Sequence, residues 1–130
     1  MIQITGFDHI VLRVRDLERM VAFYGDVLGM KVAHRQDDLG LVHLRAGPSL
    51  LDLVAIDGPL GRQGGAPGGS ALNLDHFCLN VADFDLARVR AHLEAHGVEI
   101  GEDAMRYGAG GPGLSLYLKD PEGNALELRG

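Results

Sequence analysis

At 130 residues, 46% of them hydrophobic and 23% charged, the chain is long enough for one domain with a real core and has the composition of an ordinary globular protein. A formal net charge of −6 and the lack of any basic run exclude general nucleic-acid binding, which rests on clustered Lys and Arg. Met1 to Phe7 lack the charged-then-apolar order of a signal peptide, and no apolar stretch approaches the ~20 residues of a membrane helix. Cys78 is the single cysteine, so no internal disulfide can form, and a cytoplasmic protein without a membrane partner is expected.

In chain order, Phe7–Leu17 reads FDHIVLRVRDL, an alternating segment that predicts a strand. Leu17, Met20, Val21, Tyr24 and Val27/Leu28 then fall at helical spacing, with Asp16 suited to the N-cap and Gly29 to the stop. Lys31–Arg35, Leu41–Ala46 and Leu50–Ile56 suit strands. Asp57–Ser70, DGPLGRQGGAPGGS, is punctuated by Gly and Pro and reads as a linker. Leu74–Phe84, LDHFCLNVADF, then repeats the opening segment 67 residues on, sharing Asp, His, Leu, Val and Asp with positions 8, 9, 12, 14 and 16. Leu86, Val89 and Leu93 predict a second helix, capped by Asp83 or Asp85 and stopped by Gly97. Val98–Gly101, Leu114–Lys119 and Asn124–Arg129 suit strands, and the glycine-rich stretch Tyr107–Gly113 is either a hairpin connection or a mobile lid. The chain is thus one module written twice within a single domain, 1–130. Module one covers about 1–56, a linker 57–72, and module two about 73–130.

Strand side chains alternate faces, so parity sorts them. Ile10, Leu12 and Val14 form a helix-facing set, which leaves His9, Val11 and Arg13 opposite. In the repeat, Phe77, Leu79 and Val81 leave His76, Cys78 and Asn80. The last strand of each half sets a carboxylate among leucines, Asp52 between Leu51 and Leu53, and Glu127 between Leu126 and Leu128. A carboxylate on such a strand is costly if buried unpaired. If a pseudo-twofold axis relates the halves, His9, His76, Asp52 and Glu127 converge near it. Imidazole with carboxylate is a ligand set for Zn, Ni, Mn or non-haem Fe. His43 shares the cavity parity of its strand and is a candidate general base. Cys78 reads as a small cavity-wall residue, and His92 and His96 as surface residues. Arg129 and Lys119 are placed either to bind an anionic substrate or to neutralise Asp52 and Glu127.

The paired module, the D-H-I-V-L-x-V-x-D opening, the F-Y-x-x-V-L-G-M helix end and the D-P-E-G-N-x-L-E-L close resemble the vicinal oxygen chelate superfamily over nearly the whole chain. That group includes glyoxalase I, extradiol dioxygenases, fosfomycin-resistance enzymes, methylmalonyl-CoA epimerase and bleomycin-resistance proteins. The resemblance implies an α+β fold, two βαβββ modules forming a curved mixed sheet around a metal cavity. It implies one divalent metal ion (Fe, Mn, Ni or Zn) per site, held by His9, His76 and Glu127. Asp52 matches a fourth ligand of glyoxalase I in position but is one methylene shorter, which favours a role beside the metal, as a base or in orienting a ligand water. Tyr117, ten residues before Glu127, matches a cavity tyrosine of the dioxygenases and fosfomycin enzymes, and Arg13 matches an arginine of glyoxalase I. Against this, Val11 stands where fosfomycin enzymes tend to have Thr, and the additional cavity histidines of ring-cleaving enzymes are not found at the matching places in the second half. The implied function is a metal-dependent lyase, isomerase or dioxygenase acting on a small substrate chelated through two adjacent oxygens, as a homodimer. The alternative is a metal-free protein that sequesters a ligand, as bleomycin-resistance proteins do.

Overall fold

The computed structural model describes residues 1–68 and 73–130. It contains two compact units, Met1–Gly69 and Ser70–Gly130. In the first unit β1 (His9–Val14), α1 (Leu17–Ala22), β2 (Val32–Gln36), β3 (Leu41–Ala46) and β4 (Ser49–Ala55) follow in order. In the second, β5 (Phe77–Asn80), α2 (Leu86–Ala95), β6 (Glu99–Gly108), β7 (Gly111–Lys119) and β8 (Ala125–Arg129) repeat that order. Each unit builds one four-stranded mixed sheet, ordered β1-β4-β3-β2 and β5-β8-β7-β6. The repeat read in the sequence is therefore a repeat of topology, and the α+β architecture of two βαβββ modules is the one expected.

Local chemistry explains each turn of the chain. The Asp16 carboxylate accepts from Arg19 N at 3.0 Å and starts α1, as Asp85 accepts from Arg88 N at 2.9 Å and starts α2. After Ala22 the first helix widens into a π-turn, Phe23–Val27, which buries both Phe23 and Tyr24. Gly29 and Gly97, both at positive φ, end the two helical segments where expected. Leu12, Val14, Met20, Leu51 and Leu53 are buried in the first unit; Phe77, Leu93, Leu116, Leu126 and Leu128 are buried in the second. In β1, His9, Val11 and Arg13 stay exposed while Leu12 and Val14 are buried, as parity requires.

Two glycine-rich stretches take definite form. Gly108 pairs with Gly111, so 107–113 is a tight hairpin with its flanking strand ends. The described part of the linker, 57–68, packs on the first unit. A Cβ at Gly58 would lie 3.1 Å from Leu39 O, one at Gly61 would fall on Ala55 O, and one at Gly64 on the Arg13 guanidinium. Gly61–Gln63 is a turn of 3-10 helix, and glycines three apart keep one side of such a turn bare. Arg15 Nη2 donates to Pro67 O at 2.9 Å and extends the seam. Residues 69–72, the remainder of the expected linker, lie outside the described residues.

Candidate metal centre

The register of the two sheets puts the same chemistry at matching places. Val11 stands opposite Asp52 across the parallel pair β1–β4, and Cys78 opposite Glu127 across β5–β8. Each histidine lies two residues before that position, on the same face. Across the antiparallel pairs, His43 is opposite Asp52 and Tyr117 is opposite Glu127. His43 and Tyr117 are therefore counterparts, a relation that helical and strand periodicity alone did not reveal.

In the second unit His76 and Glu127 come together. His76 Nε2 is 3.3 Å from Glu127 Oε2, while Nδ1 donates to Asp75 Oδ2 at 2.6 Å. Two groups each ~2.0–2.2 Å from one ion, at right angles to tetrahedral, stand ~3.0–3.5 Å apart, so this pair fits a shared divalent metal. The other oxygen, Oε1, accepts a hydrogen bond from Ser115 Oγ, a fully buried hydroxyl on β7. Glu127 itself is only 5% exposed, so its charge is satisfied by named partners rather than by bulk water. The Tyr117 ring meets His76 edge-on at 5.7 Å, and the Arg106 guanidinium lies 5.7 Å over the Tyr117 ring. A hydrogen bond to Tyr117, with further help from Glu102, raises the Arg106 guanidinium above its ordinary value.

The first unit repeats these features by itself. His9 Nδ1 donates to Asp8 Oδ1 at 2.6 Å, repeating the Asp75–His76 contact and leaving Nε2 as the nitrogen that could face an ion in both. The Asp8 hydrogen bond, then the Asp52 charge, raise the His9 imidazole above its ordinary value. Asp52, 4% exposed, accepts from His43 Nδ1 at 2.8 Å. His43 Nε2 in turn accepts from the Gln36 amide at 3.0 Å, so both ring nitrogens are engaged. His9, Arg13, His43 and Asp52 line a pocket of about 560 Å³ whose remaining wall includes Val11, Leu41, Leu50, Val54 and Leu60. Among the described residues no three His, Cys, Asp or Glu side chains gather as a ready-made ion site.

Other sequence candidates fall as follows. Cys78 is exposed on the Glu127 face, yet desolvation of its sulfur, reinforced by the Glu127 charge, pushes the thiol up to about 11, which makes it a poor nucleophile. His92 and His96 lie on the surface with rings 4.5 Å apart. Lys119 pairs with Glu99 at 3.4 Å and not with Glu127. Asp8, Asp75, Ser115 and Gln36 were not singled out in the sequence. The Asp before each repeated His was the available signal for the first two, and the parity that links Ser115, Tyr117 and Glu127 was the signal for the third.

The family model described as the Glyoxalase/Bleomycin resistance protein/Dioxygenase superfamily matches residues 6–128. The chain is 30% identical over 128 residues to the glyoxalase domain-containing protein RDO1 of Mycosarcoma maydis, covering 98% of this chain and 69% of that protein. It is 31% identical over 126 residues to the glutathione transferase FosA of Serratia marcescens, covering 96% and 80%. The solved structure of the integron cassette protein VCH_CASS1, from the mobile metagenome of V. cholerae, superposes with a TM-score of 0.80 at 29% identity, covering 99% of this chain and 97% of that one. Members of this superfamily include metal-dependent lyases, isomerases, dioxygenases and transferases, together with proteins that are not enzymes. The chain belongs to the glyoxalase/bleomycin resistance protein/dioxygenase superfamily.

Proposed function

We propose that this protein is a divalent-metal-dependent enzyme acting on a small substrate chelated through two adjacent oxygens, with His9, His76 and Glu127 as metal ligands. The observation that carries the reading is the 3.3 Å approach of His76 Nε2 to Glu127 Oε2, with Nδ1 of the imidazole held by Asp75. The same Asp–His contact at Asp8 and His9 supports His9 as the third ligand. When bound, the ion (Fe, Mn, Ni or Zn) supplies Lewis acidity to the chelated oxygens.

The chain's own residues then divide the remaining work. Asp52 is the base, taking a proton from the substrate or from a bound water, and His43 holds its other oxygen so that the accepting lone pair faces the pocket. The engagement of Asp52 by His43 supports three protein ligands over four, leaving room for a bidentate substrate. Tyr117 orients the substrate from beside His76, and Arg13 from the wall of the first-unit pocket. Metal analysis of protein purified without chelator tests this directly, with one equivalent per chain expected and its loss in His76→Ala. Wild-type protein that binds no divalent metal at any physiological concentration would sink the reading and leave the ligand-sequestering alternative.

A further inference from the structure

Arg129 is a buried cation that the proposed chemistry does not use. It lies on β8 two residues beyond Glu127, on the same face, and is only 8% exposed. Its Nη2 donates to the Gly111 carbonyl at 2.7 Å. A Cβ at Gly108 would fall on Nη1, and one at Gly113 on Nη2, so the β6–β7 hairpin forms a glycine slot around the guanidinium. Among the described residues no ion pair joins it to a carboxylate, and the two oxygens of Glu127 meet Ser115 and His76. Its charge reaches the Cys78 thiol, which shares the Glu127 face. Arg129 therefore makes no direct ion pair with Glu127, and a backbone carbonyl is a weak counterpart for a guanidinium taken out of water. A planar fork of donors held flat by its surroundings is suited to an oxyanion, which it can bind through two parallel hydrogen bonds.

We propose that Arg129 is a specificity-determining residue, and that the substrate carries, beside its two chelating oxygens, an anionic group (a carboxylate or a phosphonate-type oxyanion) that Arg129 binds. The chelating oxygens rest on the metal reading above; the anion site does not. The probes are acetohydroxamate, which chelates without a further charge, and its phosphonoacetohydroxamate and malonomonohydroxamate analogues, which add a phosphonate or a carboxylate. Titrated into metal-loaded protein at low salt, at least one anionic analogue should bind about 30-fold more tightly than acetohydroxamate, the worth of a hydrogen-bonded charge pair. The tighter of the two identifies the class of oxyanion.

Arg129→Gln should reduce that preference to below about threefold while metal content and acetohydroxamate affinity stay unchanged. Gly108→Ala, which puts a methyl where Nη1 lies, should do the same with the arginine still present. It decides the matter alone if Arg129→Gln fails to fold. An arginine serving only as a peg for the hairpin would lower thermal stability on replacement and leave the preference intact. That result, or a wild type without preference, overturns the proposal. Should the protein bind no metal, phosphonoacetate and malonate are titrated into it as isolated. Binding that Arg129→Gln abolishes then upholds the anion site while the metal reading fails, and no binding of either overturns the anion site too.

Discussion

At the scale of single residues, the proposed site is defined by what holds each candidate ligand. Ser115 ties one oxygen of Glu127, which leaves the other turned toward His76. Ser115→Ala frees that carboxylate to rotate, and divalent-metal affinity should fall about 10- to 100-fold with the fold intact, as is usual when a partner of a ligating side chain is removed. Competition against a chelating dye measures this, with Ser115→Thr as the variant that keeps the hydroxyl, and undiminished affinity in the alanine protein contradicts the role. The Asp8 contact raises the His9 imidazole, so the charged ring stabilises the fold below its ordinary value of 6.5. That contribution disappears as pH rises through the higher folded-state value. In the ion-free protein an NMR titration of His9 should therefore have its midpoint above 6.5, and Asp8→Asn should bring it down. A midpoint indifferent to Asp8 would show that the hydrogen bond is not what sets it. Cys78 gives a third test, because its thiol is pushed up to about 11. Alkylation should be slow at neutral pH and accelerate only as pH nears that value, whereas a rate already levelling off near pH 8.5 would mean an ordinary thiol.

At the scale of elements, glycine decides more than composition suggests. The linker reads as a tether because Gly and Pro dominate it, yet Gly58, Gly61 and Gly64 are required by closeness to backbone and to Arg13, not by freedom of movement. Gly61→Ala should destabilise the protein by roughly 1–3 kcal/mol through overpacking against Ala55. Gly110→Ala, at a hairpin position where an added Cβ meets nothing, should stay within about 0.5 kcal/mol. Chemical denaturation of the two variants distinguishes them, and equal stabilities would show that the linker packing is not maintained in solution. The hairpin at 107–113 makes the same point, since its glycines make room for Arg129.

At the scale of the whole molecule, β2 and β6 are edge strands of the two short sheets among the described residues. Apolar residues also remain exposed, including Ile2, Ile4 and Phe7 before β1. A homodimer is expected on that account, and sedimentation showing a stable monomer at micromolar concentration would rule it out. By itself the sequence determined the duplicated module, the Asp16 cap, a choice of Asp83 or Asp85 for the second cap, and the faces on which His9, His76, Asp52 and Glu127 stand. Those follow from periodicity and capping, which act between residues near in the chain. Tertiary structure alone decided which side chains meet: Ser115 with Glu127, Gln36 with His43 and His43 with Asp52. It alone decided that Arg129 lies across the hairpin glycines instead of on Glu127. Those pairings depend on register between strands up to 18 residues apart in sequence, and parity gives the face of a side chain but not the neighbour it reaches across the sheet.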